Sequence, residues 1–186
     1  MINHKYKFIF VRVAKTGSSS ILETLPKSTT NCEGWKYDCH HIPLWHLKKN
    51  LDKDIFNNYF KFAFVRNPFA RAVSTMKYIN TWKKWNGFDD YLNLKESLLL
   101  KNEKEQSKYS NQYDFTKGCD FIGKLESIQE DFNTVCDKIG VSRQQLPHYN
   151  TTKHRHYTEY YDDETLKIAE EKFAKDIEHF GYKFGE

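Results

Sequence analysis

Lys5-Tyr6-Lys7-Phe8-Ile9-Phe10-Val11-Arg12-Val13-Ala14-Lys15-Thr16-Gly17-Ser18-Ser19-Ser20 is the stretch on which the fold turns. Its first half, Lys5 to Val13, is rich in β-branched and aromatic residues and predicts a buried strand. The strand runs into a lysine, a glycine and a row of hydroxyls, and a short helix is expected through Ile21 and Leu22, stopping near Pro26. A loop in this position lies at the carboxyl end of a strand, where open α/β sheets hold their ligands. Its chemistry suits an anion. The free N–H groups of a first helical turn point at the ligand, and the helix dipole favours negative charge there. Gly17 lets the backbone approach closely. Lys15 adds a full charge, and Thr16, Ser18, Ser19 and Ser20 offer hydroxyl donors. The alternative is a plain serine-rich helix start. The loop is not of the G-x-x-x-x-G-K-[ST] type, because Lys15 precedes Gly17 and no glycine lies upstream. That counts against ordinary kinases and nucleoside triphosphatases.

Further along, Phe60 to Arg66 reads as a second buried strand. Asn67 is a good N-cap and Pro68 a good first helical residue. Phe69, Ala72, Val73 and Met76 follow at helical spacing and give one apolar face. Arg66 thus ends a strand just before a helix start, and a guanidinium beside a positive dipole end calls for an anion. Pairing with a buried carboxylate would serve equally. Ser74, two turns into the helix, has a hydroxyl able to join the same group. Arg71 lies off the apolar face and is expected to be structural, tying the helix to a neighbouring acid.

The remaining pattern is strand and helix in alternation. Phe121-Ile122-Gly123 reads as a short strand. Ser127 with Glu130 predicts a capping box, Leu125, Ile128, Phe132, Val135 and Ile139 a buried helix side, and Gly140 its end. A last helix is expected from Asp163 to Glu178, with Leu166, Ala169, Phe173 and Ile177 inward. Residues 27–50 look irregular. Residues 83–118 show no motif, and the charged stretch from Lys95 to Lys108 reads as a solvated helix. Together the elements predict an α/β fold around a parallel sheet.

Composition sets the outer bounds. The chain has 186 residues, which suits one domain over 1–186, and 39% are hydrophobic, enough for a packed core. Fourteen Phe and twelve Tyr can also line a cleft for a sugar or a nucleobase. The net charge is +4, from 29 basic and 25 acidic residues. Basic and acidic residues are interleaved rather than gathered in a stripe, which speaks against a nucleic-acid partner. Cys32, Cys39, Cys119 and Cys136 are too few for a disulfide scaffold. Cys32, Cys39, His40 and His41 lie close together, but no second ligand pair has metal-site spacing, so no metal is expected. No run is long enough to span a bilayer and no signal peptide is visible, so the chain reads as cytoplasmic.

Two motifs carry a family resemblance. Val13-Ala14-Lys15-Thr16-Gly17-Ser18-Ser19-Ser20 resembles the 5′-phosphosulfate loop of the carbohydrate sulfotransferases. Phe64-Val65-Arg66-Asn67-Pro68-Phe69-Ala70-Arg71-Ala72-Val73-Ser74 resembles their 3′-phosphate motif, with Arg and Ser eight positions apart. The match is to the branch of chondroitin, dermatan and heparan 2-O-sulfotransferases. Ile122-Gly123-Lys124-Leu125-Glu126 and the end segment Tyr160 to Tyr182 agree with it, so it spans nearly the whole chain. The resemblance implies a P-loop-like three-layer sandwich and an enzyme that uses 3′-phosphoadenosine 5′-phosphosulfate (PAPS) as donor to a hydroxyl, with a glycan as the expected acceptor. By the same resemblance Lys15 and Thr16 to Ser20 hold the 5′-phosphosulfate, Arg66 and Ser74 hold the 3′-phosphate, and Thr151, Thr152, Lys153 and Arg155 are candidates to close over the nucleotide.

Transfer to a hydroxyl also needs a base, and a neutral imidazole suits that role near pH 7. The related enzymes carry a His between the two motifs. His41-Ile42-Pro43-Leu44-Trp45 resembles that position, with His40 as the alternative, while His46 reads as packing or surface. Lys15 is expected to steady charge on the oxygen bridging sulfur and phosphorus. The alternatives are a phosphotransferase using the same anion loop, or a nucleotide- or glycan-binding module without catalysis.

Overall fold

Phe8 and Phe10 fall on one side of their strand, and Ile9 and Val11 on the other; all four are buried. That two-sided burial sets the layers. In the computed structural model, which describes residues 1–27, 41–80, 111–147 and 155–186, four strands make one sheet. They are β1 (Ile2–Asn3), β2 (Phe8–Val11), β3 (Phe60–Val65) and β4 (Phe121–Lys124), in that spatial order. β1 pairs antiparallel with β2, and the β2–β3 and β3–β4 ladders are parallel.

The helices cover both faces. Phe8, Phe10, Phe62 and Phe64 pack with Ile21 of α1 (Ser18–Thr24) and with Phe132, Val135, Cys136 and Ile139 of α6 (Ile128–Ile139). Ile9, Val11 and Ala63 pack on the opposite side with Leu44 and Leu47 of α2 (Leu44–Asn50). Burying each such side chain stabilises the fold by about 1.5–3 kcal/mol relative to exposure. The three-layer α/β architecture is thus the one expected. A third cluster joins Phe69, Val73 and Met76 of α4 (Pro68–Asn80) to Ala169 of α7 (Asp163–Lys172) and to Phe173, with half-buried Ile177 of α8 (Ala174–Phe180) against it.

Several expectations need correction. The first strand is Phe8–Val11 rather than Lys5 to Val13. Asn3 Oδ1 accepts the Tyr6 N–H at 3.0 Å and Lys7 has φ 50°, so the chain turns back here and adds β1. α2 occupies part of the stretch expected to be irregular, and α3 (Lys53–Asn58) follows, capped by Asp52, whose Oδ1 accepts the N–H groups of Asp54 and Ile55. α5 (Gln112–Thr116) lies where no pattern was legible. The Ser127 hydroxyl donates to Asp131 Oδ2 at 2.7 Å, so the expected capping box does not form, and a 3-10 turn, Leu125–Ser127, precedes α6. The last helix breaks at Phe173, whose φ of −105° and ψ of 16° depart from α geometry. Among the described residues no helix is long and apolar enough to cross a membrane.

Candidate active site

The ladders end at one edge: Val11 pairs with Ala63, and Val65 with Lys124. The chain therefore leaves the sheet three times on the same side, into residues 12–17, into Arg66–Asn67 and into Leu125–Ser127. In the first segment Lys15 has φ 66° and Gly17 φ 75°. A lysine in the left-handed region is strained, a condition that concentrates at functional sites. The Thr16 hydroxyl is committed to the loop, donating to the Val13 carbonyl at 2.9 Å. The main-chain N–H groups of Gly17, Ser18 and Ser19 have no acceptor among the described residues, and Gly17, the N-cap of α1, makes no side-chain cap. Ser18 and Ser20 are buried and Ser19 is exposed. Gly17 also meets the third segment. A Cβ there would lie 2.7 Å from Ile128 Cδ1 and 2.8 Å from Leu125 Cδ1.

Arg66 is half-buried, and its main chain is held on both sides. Its N–H donates to Gln112 Oε1 at 2.9 Å, and its carbonyl accepts from Gln112 Nε2 at 2.7 Å. Its guanidinium has no hydrogen bond or ion pair among the described residues. Burial lowers Arg66 below the ordinary arginine value, the Glu126 charge raises it again, and the neighbouring Arg71 lowers it. Glu126 is the acid that could have neutralised it. Its oxygens are engaged elsewhere, one accepting the Asn67 N–H at 2.7 Å and the other the Tyr182 hydroxyl at 3.1 Å. Asn67 caps α4 as expected, with Oδ1 accepting from the N–H groups of Phe69 and Ala70. Ser74 is buried, and its hydroxyl likewise has no protein partner among the described residues.

α4 links the lysine loop to the segment after β3. Arg71, 2% exposed, donates from Nε to the Ala14 carbonyl at 3.0 Å. Seven residues on, the ring of Tyr78 lies 4.5 Å below Lys15 Nζ, a cation–π contact. Residues 71, 74 and 78 share one helix face. Ser74 thus sits between two points at which α4 touches Ala14 and Lys15, and Arg71 stands close enough to both segments to feel the charge of Arg66. The expectation that Arg71 is structural gains a sharper content, since what it binds is the backbone of the Lys15 loop.

His41 reaches the same edge. Its Nδ1 lies 3.1 Å from the Arg12 carbonyl. A carbonyl only accepts, so in neutral imidazole Nδ1 carries the proton and Nε2 is the basic nitrogen. His40, Cys32, Cys39, Thr151, Thr152 and Lys153 lie outside the described residues. Arg155 is exposed and lies 3.9 Å from Glu159 and 5.8 Å from the Tyr160 ring centroid. Among the described residues no His, Cys, Asp and Glu cluster could hold a metal ion. Three contributors were missed in sequence. Tyr78 was findable, four residues after Ser74 on the same helix face. Glu126 fell in a quoted segment without a role, and Gln112 lies in a stretch without a motif.

What this edge offers is a loop with a lysine and open N–H groups, a half-buried arginine and a buried serine whose side chains have no partner among the described residues, and an imidazole with a defined basic nitrogen. Together these suit a ligand with two separate anionic groups and a reaction that takes up a proton. A model described as the Sulfotransferase family matches residues 1–183. An uncharacterized protein of Archaeoglobus fulgidus is 28% identical over 122 residues, which cover 62% of this chain and 97% of that protein.

Proposed function

The chain belongs to the sulfotransferase family, and from that premise we propose that it transfers a sulfuryl group from PAPS to a hydroxyl, on a carbohydrate by resemblance to the glycan-modifying branch. The observation that carries the reading is the link made by α4. Arg71 on Ala14 and Tyr78 on Lys15 bring the Ser74 face against the lysine loop. Groups suited to a 5′-phosphosulfate and to a 3′-phosphate then serve one nucleotide. The fit rests on the groups that lack protein partners among the described residues, namely the Arg66 guanidinium, the Ser74 hydroxyl and the N–H groups of Gly17, Ser18 and Ser19.

The donor supplies the sulfuryl group and a phosphate leaving group. Lys15 and the loop N–H groups, with Thr16 to Ser20, orient the 5′-phosphosulfate, and Lys15 offsets the charge that grows on the bridging oxygen as the S–O bond breaks. Arg66 and Ser74 hold the 3′-phosphate, the arginine by its two-pronged fork. His41 Nε2 takes the proton from the acceptor hydroxyl as the new S–O bond forms, and the Arg12 carbonyl keeps the ring in the tautomer that allows it.

A transfer screen with sulfur-labelled PAPS over glycans and small alcohols tests the reading. Label in a hydroxyl-bearing acceptor is expected. Absence of transfer together with indifference to adenosine 3′,5′-bisphosphate in calorimetry sinks it, and magnesium-dependent ATP turnover in its place would mark a phosphotransferase.

A further inference from the structure

The β2–β3 ladder stops at Ala63 opposite Val11 and the β3–β4 ladder at Val65 opposite Lys124, so Arg66 lies beyond both and has no strand neighbour. Its backbone still needs partners, because an unmet buried N–H or carbonyl is costly. Gln112 meets both needs with one side chain. Its carbonyl oxygen accepts the Arg66 N–H and its amide donates to the Arg66 carbonyl, as the next strand residue would have done. Gln112 is 0% exposed, from the short helix α5.

The direction of that amide is enforced. The second N–H of Gln112 Nε2 donates to Asp176 Oδ2 at 3.1 Å, and Asp176 Oδ1 accepts the Tyr113 N–H at 2.9 Å. Turning the amide over would set its oxygen against two acceptors, the Arg66 carbonyl and the carboxylate, and leave the Arg66 N–H facing an NH2 group. Asp176 is itself 0% exposed and anchored in α8, so it has little room to yield. A buried carboxylate thus fixes an amide, the amide fixes the Arg66 main chain, and the side chain that springs from it makes no hydrogen bond or ion pair of its own among the described residues.

We propose that Gln112, oriented by Asp176, is the positioning residue of the 3′-phosphate site, setting the direction of the Arg66 guanidinium without touching the nucleotide; this rests on the donor assignment of the preceding subsection. Losing a hydrogen bond to a charged group costs about tenfold to a hundredfold in affinity. The effect falls on one phosphate only, because the Lys15 loop is held by other contacts.

The test is calorimetry on Gln112→Ala and on Gln112→Met, which keeps the volume and removes both bonds, with adenosine 3′,5′-bisphosphate and adenosine 5′-phosphate as probes. The ratio of their Kd values measures what the 3′-phosphate contributes. In both variants that ratio is expected to shrink by about tenfold to a hundredfold, while affinity for adenosine 5′-phosphate stays as in the unaltered protein. An unchanged ratio, or an equal loss for both probes, overturns the assignment of Gln112 and leaves the donor reading standing. If the unaltered protein itself does not distinguish the two probes, the donor reading falls and takes this proposal with it. Should neither variant fold, the side-chain amide resonances of Gln112 in the unaltered protein decide. A shift on adding the bisphosphate and not the monophosphate supports the role, and an equal response to both overturns it.

Discussion

At the scale of single residues the account separates binding from chemistry. His41 Nδ1 bonds to a backbone carbonyl, which makes Nε2 the basic nitrogen that the proposed transfer would use. His41→Ala is expected to lower kcat by about a hundredfold to ten-thousandfold while Kd for adenosine 3′,5′-bisphosphate holds; full turnover in that variant would remove His41 from the mechanism. Arg66 divides the other way. A hydrogen bond to a charged group contributes about 1.5–3 kcal/mol, so Arg66→Ala is expected to weaken the bisphosphate about tenfold or more and to leave adenosine 5′-phosphate alone. Equal weakening of both nucleotides in calorimetry would show that Arg66 does not read the 3′-phosphate. Arg66 stood out in the sequence because it ends a strand just before a helix start, whereas His41 was reached only through the resemblance to enzymes with a His between the two motifs.

At the scale of elements, the loop between β2 and α1 is shaped as much by its neighbours as by its own residues. Gly17 combines φ 75° with an approach to Leu125 and Ile128 that leaves no room for a Cβ. The conformation alone costs a non-glycine residue about 1–2 kcal/mol. Gly17→Ala is therefore expected to lower Tm and to weaken nucleotide binding together, and unchanged values of both in a thermal melt and a titration would contradict this. The loop, both parallel strands flanking Arg66 and the cap at Asn67 were legible, because periodicity and capping are local signals. α5 and the break at Phe173 were not. α5 is five residues long and is held by Asp176, 60 residues from Thr116. The missing capping box at Ser127 has a nearer cause, since Asp131, four residues on, takes the hydroxyl and also accepts the Lys124 N–H. A long-range partner decided α5, and no local pattern reports it.

At the scale of the whole molecule, the site depends on a buried polar path. It runs from the Ala14 carbonyl to Arg71, whose charge acts on Asp176, and from Asp176 through Gln112 to the Arg66 backbone. Burial raises Asp176 above the ordinary carboxylate value, and the Arg71 charge and the bonds from Gln112 and Tyr113 lower it by less. Between the ordinary value and the raised one the native chain holds a proton that the unfolded chain has released, so this group's contribution falls as pH rises through that window. In urea unfolding, the stability of the unaltered protein relative to Asp176→Asn is expected to shrink as pH rises from about 4. A relative stability that grows with pH would mean that Asp176 is held as a favoured anion. Of the side chains on this path only Arg71 was legible beforehand, and its Nε binds a carbonyl of the lysine loop. The central claim is that α4, through Arg71 and Tyr78, makes one nucleotide site out of two distant motifs. A crystal structure of the complex with adenosine 3′,5′-bisphosphate tests it most directly. The account predicts the 5′-phosphate on Lys15 and the N–H groups of Gly17 to Ser19, with the 3′-phosphate on Arg66 and Ser74. A nucleotide touching one motif and not the other would contradict it.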